Sequence, residues 1–282
     1  MHDITFLDET LDVNQTNNYH ISIQCQLNGF SFSVLDTLNN KYVALKNFMF
    51  QRDLPEDMYY EKVEDIVADE EFFSKKYKSS SLIYATRKIT LLPDKFFDVD
   101  HLKNYFKLNH DLDELDELHY NRIHKTNIYS IYAVPNYIAT TFVQRLPGMK
   151  FYSQITPMLF PVYSQLKQNK LSVRVNLNLD FLDIAVISSN KLILFNTFSF
   201  ESESDIIYYL LLIYKKLNLK PVETELIVSG EIPKGSPLPE LIKKFFKKVK
   251  YAKPNPEYTY SYTFSDIPSY TFVNLLNLHS CE

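Results

Sequence analysis

The order of extended and helical segments in this chain runs through once and then starts again about 150 residues later, and that repetition constrains the fold more than any single motif. Ile21–Gln26, Phe30–Asp36 and Tyr42–Phe50 read as three extended segments, separated by the turn signals Asn28-Gly29 and Asn39-Asn40. Such short connections predict antiparallel hairpins. Asp53 precedes Glu56 by three residues, and Met58, Tyr59, Val63, Ile66 and Val67 recur at helical spacing, which predicts a capped helix packed on the hairpins. Strands at Ser81–Ala85 and Ile89–Pro93, an acidic segment, a strand at Ile128–Val134 and a helix from Asn136 to about Arg145 complete the first pass.

The second pass begins at Leu171. Leu171–Leu179, Leu182–Ser188 and Leu192–Phe200 read as strands, then Ser202 and Asp205 open a helix whose apolar face is Ile206, Leu210, Ile213, Tyr214 and Leu217. A strand at Glu225–Ser229, Gly230 and a helix from about Leu238 to Lys248 follow. Details recur at the same offset: Asn40-Lys41 against Asn190-Lys191, and Phe48-x-Phe50 against Phe198-x-Phe200. The expectation is an α/β protein (α+β lobes) made of duplicated β-β-β-α-β-α units that resemble the ribonuclease H-like fold, with a first lobe over 1–150, a connecting helix over 151–170 and a shorter second lobe over 171–282.

Composition narrows the function classes. Hydrophobic residues make up 45% and charged residues 23%, so a sizeable core can form. The net charge of −4 provides no field that favours nucleic acid or an anionic membrane. Ile206–Tyr214, the longest strongly apolar run, is far shorter than the roughly 20 residues a membrane span needs. Two cysteines, Cys25 and Cys281, and no secretory leader point to the cytosol.

Two such units joined by Phe151–Lys170 resemble the actin-like ATPase fold of actin, Hsp70, sugar kinases, FtsA and PilM. More narrowly, Asn190–Phe198, Asp205-Ile206-Ile207-Tyr208-Tyr209, Ser229-Gly230-Glu231-Ile232 and Cys281-Glu282 are similar to an uncharacterised bacterial family of unknown function assigned to that fold. The resemblance spans nearly the whole chain and implies a fold, with no catalytic residues to carry over.

Active members of the fold grip ATP through an Asp-x-Gly turn in each lobe, where backbone amides hold phosphate and a carboxylate holds Mg²⁺. Four glycines in 282 residues leave little material for such loops. The first turn, Gln26-Leu27-Asn28-Gly29, has no carboxylate, and the second, Asn178-Leu179-Asp180-Phe181-Leu182, has no glycine. The adenosine segment Leu226–Glu231 offers one glycine, Gly230. Asn28, Gly29, Asp180, Asp183, Ser229 and Gly230 are therefore the candidate cleft positions for a cofactor, none is assigned a catalytic role, and bland readings as turn and strand-end residues stand beside them. No cofactor is expected, with ATP and Mg²⁺ as the alternative.

Other constellations have simpler readings. His119 and His124 beside Asp111, Asp113, Glu114, Asp116 and Glu117 read as a solvated acidic connector, and no metal site is expected there. Ser164-x-x-Lys167 has the spacing of a nucleophile pair but reads as a surface turn of helix. The helix Leu241–Val249 carries four lysines opposite its apolar face, as any helix covering a sheet does. Tyr258-x-Tyr260-x-Tyr262-x-Phe264 alternates at strand period, which puts four rings on one side, to complete the second lobe's sheet, seal the cleft or meet a protein. The residues favour a non-catalytic scaffold or adaptor that binds a protein partner, with a diverged nucleotide-binding protein or phosphotransferase as the alternative and a small-molecule ligand in the cleft as a third reading.

Overall fold

The computed structural model describes residues 4–26, 28–51, 54–123, 125–164 and 171–282, the side chain of Ser164 excepted. Their contacts divide into two compact units. One comprises the described residues up to Leu159 together with Asn255–Ile267 and Leu275–Glu282, and the other comprises Phe160–Pro254 and Pro268–Asn274.

In the first unit, β1 (Ile4–Leu7), β2 (Tyr19–Gln26), β3 (Gly29–Asp36) and β4 (Lys41–Met49) precede α1 (Glu56–Asp69) and β5 (Ser79–Tyr84). Then come β6 (Ile89–Pro93), α2 (Leu102–Lys107), β7 (Asp116–Arg122), β8 (Ile128–Pro135), α3 (Asn136–Arg145) and β9 (Lys150–Ser153), before α4 (Ile155–Ser164). The main sheet runs β1-β4-β3-β2-β5-β9, and β6-β8-β7 form a smaller antiparallel sheet. Strands β2 to β4 pair antiparallel, whereas β5 and β9 join in parallel, as crossover connections require. Alternation decides the faces: Ile21, Ile23, Cys25, Phe30, Phe32 and Val34 point to a core shared with Tyr59, Val63 and Val67 of α1 and Ile138, Ala139 and Phe142 of α3.

The second unit has β10 (Ser172–Leu177), β11 (Phe181–Ser188), β12 (Lys191–Ser199), α5 (Glu203–Lys216), β13 (Glu225–Gly230), α6 (Leu238–Phe245) and β14 (Val249–Tyr251). Its sheet runs β12-β11-β10-β13-β14, with β10 to β12 antiparallel and β13 and β14 added in parallel. That is the order and sense of β4-β3-β2-β5-β9. Val173, Val175, Leu182, Ile184, Leu226 and Val228 bury one face against Ile206, Leu210, Ile213 and Tyr214 of α5 and Ile242 of α6. The Asp205 carboxylate accepts the backbone N–H of Glu201 and of Ser202, which fixes where α5 starts.

Several expectations are corrected. The segment between β6 and β8 holds α2 and the charged strand β7, which pairs with β8 along its length. Phe151–Ser153, assigned from the sequence to the connector, belongs to β9, and the following helix is Ile155–Ser164. Helix α6 stops at Phe245 because Phe246 turns to extended backbone to bury its ring against Tyr214, and Val249–Tyr251 is a strand. Met58 is exposed, so the buried stripe of α1 is Tyr59, Val63 and Val67.

The aromatic tail departs furthest. Only Thr259–Tyr260 is extended, as β15, and it pairs in parallel with Lys41–Tyr42 of β4 in the first unit's sheet, not the second's. Tyr262–Asp266 then turns as a 3₁₀ helix, so the rings do not share a side: Tyr258 and Tyr260 pack on Tyr42, whereas Tyr262 is exposed. The last elements are α7 (Val273–Asn277) and a 3₁₀ turn at Leu278–Cys281. Residues 255–267 and 275–282 thus cluster with the first unit, although their place in the order assigned them to the second. No described helix is long and apolar enough to cross a membrane.

Candidate functional site

Register builds the main polar feature of the second unit. Thr197 of β12 stands opposite Asp183 of β11, Asp183 opposite Asn176 of β10, and Asn176 opposite Ser229 of β13. These four residues form one row across the sheet, on the face turned away from the α5 and α6 core, because their strand neighbours Val175, Leu182, Ile184 and Val228 point the other way. Asp183 is wholly buried. Its Oδ1 accepts the Thr197 hydroxyl at 2.8 Å, and its Oδ2 accepts Nδ2 of Asn178 at 3.2 Å and of Asn176 at 3.5 Å. Ser229 Oγ donates to Asn176 Oδ1 at 3.1 Å and to the Val175 carbonyl at 3.2 Å. A buried carboxylate is tolerable only with such partners.

Backbone bonds also brace this end of the sheet. The Asn178 N–H donates to Phe181 O at 2.9 Å, and Phe200 N–H donates to Asp180 O at 3.0 Å. Glu231 N–H is taken by Leu177 O at 2.8 Å and Gly230 N–H by Tyr270 O at 2.9 Å. Gly230 has φ +94, and a Cβ there would lie 2.1 Å from Leu177 O, so its glycine is explained by close strand packing.

Among the sequence candidates, Asp183 and Ser229 are brought together through Asn176, Gly230 adjoins them, and Asp180 sits in the β10–β11 turn with a half-exposed side chain. Both Asn28, in the β2–β3 turn, and Gly29, the first residue of β3, lie in the first unit, and Leu27 is outside the described residues. Asn28 is buried, its carbonyl accepts Phe50 N–H at 2.7 Å, and its Oδ1 has no partner among the described residues. Gly29 has φ +143, and a Cβ would lie 2.0 Å from Phe48 O. The equivalent row here is Gln24, Ser31 and Asn47, where Ser31 Oγ donates to Asn47 Oδ1 at 2.6 Å. It contains no carboxylate.

Asn176, Asn178 and Thr197 were not singled out from sequence; the available signal was the polar alternation Ser172-x-Arg174-x-Asn176-x-Asn178 along the strand. Of the acidic connector, His119 packs at a tilt against Phe151 and lies 3.5 Å from Glu117, and Lys88 pairs with Asp113, while His124 is outside the described residues. The Ser164 side chain and Lys167 are outside them too.

Residues 8–249 match the model of a family described as protein of unknown function (DUF3822). No curated protein matches the chain. A Bacteroides thetaiotaomicron VPI-5482 protein, described as having an actin-like ATPase fold and unknown function, is similar over 97% of this chain and 100% of its own, with 24% identity and a TM-score of 0.82. PilM in the PilM-PilN type IV pilus biogenesis complex is similar over 93% and 98%, with 10% identity and a TM-score of 0.60. The ethanolamine utilization protein EutJ from Carboxydothermus hydrogenoformans is similar over 96% and 91%, with 12% identity and a TM-score of 0.51. The fold is therefore the actin-like ATPase fold expected from the order of elements.

Proposed function

The chain belongs to the family of proteins of unknown function DUF3822, and from that premise we propose that it is a non-catalytic, cytosolic scaffold or adaptor of actin-like ATPase fold, produced by internal duplication, which binds an extended segment of a protein partner. The observation that carries this reading is the outer edge of β12. Nine residues long, Lys191–Ser199, it has no strand beyond it among the described residues. An unpaired edge of that length offers backbone donors and acceptors to an added strand. The PilM-PilN complex, in which a protein of the same fold is held with a partner, is consistent with this use.

The second reading, a diverged nucleotide-binding protein or phosphotransferase, draws on the position of the polar row near the carboxyl ends of β10 and β13, where open α/β sheets take ligands. Against it, the carboxylate of that row is committed to Thr197, Asn178 and Asn176, and the N–H groups of Asn178, Gly230 and Glu231 are taken by backbone carbonyls. No nucleotide or metal is required by the proposed role.

The test is a photo-crosslinking residue at Asn196 on β12, with one at Leu38 in the first unit as a control. Both positions are exposed. One discrete protein adduct at Asn196 and none at Leu38 is expected; adducts at Leu38 alone, or none at either, count against the reading.

A further inference from the structure

A second cluster lies in the first unit, on the sheet face opposite α1 and α3. His20 of β2 is wholly buried, with Nδ1 2.8 Å from Ser79 Oγ and Nε2 3.0 Å from Ser22 Oγ. The turn Leu278–Cys281 brings His279 against it, the ring centroids 4.7 Å apart. Glu282 Oε1 accepts the Ser81 hydroxyl at 2.5 Å and lies 3.8 Å from His20 Nδ1. One donor atom from each of His20, His279 and Glu282 lies within 4.8 Å of the other two.

We infer that His20, His279 and Glu282 form a site for a divalent transition metal of the zinc class, held between β2 and the C-terminal turn. Two imidazoles and a carboxylate are a donor set that zinc accepts, leaving a fourth position for water. Tetrahedral ligand atoms at zinc bond lengths stand about 3.4 Å apart, so the pair at 3.8 Å is nearly in place, and the other separations, within 4.8 Å, shorten on binding.

Outer partners are present. His279 Nδ1 is 2.9 Å from the Tyr258 hydroxyl, which leaves Nε2 for the ion. Binding at His20 Nδ1 displaces its contact with Ser79, while Nε2 keeps Ser22. The opposing charges are Lys78 and Lys150, and Lys150 Nζ lies 3.8 Å from Glu282 Oε2 on a half-exposed side chain that competes with the ion for the carboxylate.

Untagged protein stripped with chelator and titrated with Co²⁺, then Zn²⁺, tests the site. The expected result is a tetrahedral Co²⁺ absorption band that saturates at about one equivalent, is displaced by Zn²⁺, and is accompanied by a rise in Tm. His279→Gln and Glu282→Gln each weaken binding at least about tenfold, and Lys150→Ala strengthens it. Because His20 is buried, these more accessible variants carry the test. No band and no Tm shift, or binding unchanged in both His279→Gln and Glu282→Gln, overturns the assignment.

Discussion

The edges of β4 and β12 are the same position in two sheets of the same order, and they are treated in opposite ways. Beyond β4 lie β1, paired with Ala44–Asn47, and β15, paired with Lys41–Tyr42. Beyond β12 there is no strand among the described residues. The segments outside the shared order, the N-terminal strand and the returning tail, both cover the first sheet. An uncovered edge in a stable protein is a liability unless it is blunted or used, and in the role proposed above β12 is the edge offered to another chain.

The largest effect belongs to the cover of β4. Tyr42 is wholly buried, stacks on Tyr260 at 5.4 Å and donates its hydroxyl to Leu276 O at 2.7 Å. Tyr42→Ala is expected to cost about 4 kcal/mol, read by chemical denaturation, and to open residues 255–282 to protease. A loss below about 1 kcal/mol would break the idea that the tail caps this sheet.

The two polar rows differ next. Asp183→Ala strips the acceptor from Thr197, Asn178 and Asn176 and should cost about 3 kcal/mol. Ser31→Ala, in the row without a carboxylate, should cost about 1 kcal/mol. Equal losses in urea unfolding would show that the rows are energetically alike.

Asp8 ties the cover down. Burial alone would raise its carboxyl, but hydrogen bonds from Lys41 and Thr10 outweigh it and hold the pKa well below the usual range. A depressed carboxylate stabilises the fold above its unfolded value of about 3.9 and loses that contribution as pH falls through the folded value. Asp8→Asn should therefore cost about 2 kcal/mol near neutral pH, with the gap from wild type shrinking below about pH 4. A gap that grows on acidification would contradict the sign.

The smallest stability effect is on the bare edge. Ile193 is 54% exposed on β12, so Ile193→Lys should change stability by no more than about 0.5 kcal/mol while removing the adduct formed at Asn196. Retention of that adduct would separate partner binding from β12.

Much of the fold was legible because its signals are local. Asn40, Ser189 and Asn190 adopt the left-handed backbone that turn residues between alternating strands announce, and Ser202 with Asp205 opens α5 as read. Strand β7 escaped because Asp116–Arg122 is nearly all polar, held by pairing with β8 and not by its own pattern. The tail escaped because alternation specifies extended backbone, not which sheet it joins. In the site, Asp183 and Ser229 were legible as strand-end polar residues, but their connection runs through Asn176, and β10 meets β13 only across some fifty residues of chain. His20 and Glu282 stand at nearly opposite ends of the sequence, where no spacing rule reaches.

The most direct test of the central claim, that this fold works here without nucleotide chemistry, is isothermal titration with ATP and ADP, with and without Mg²⁺, on wild type and Asp183→Ala. The account predicts no binding heat at millimolar nucleotide in either protein. Micromolar, Mg²⁺-dependent binding that disappears in Asp183→Ala would contradict it.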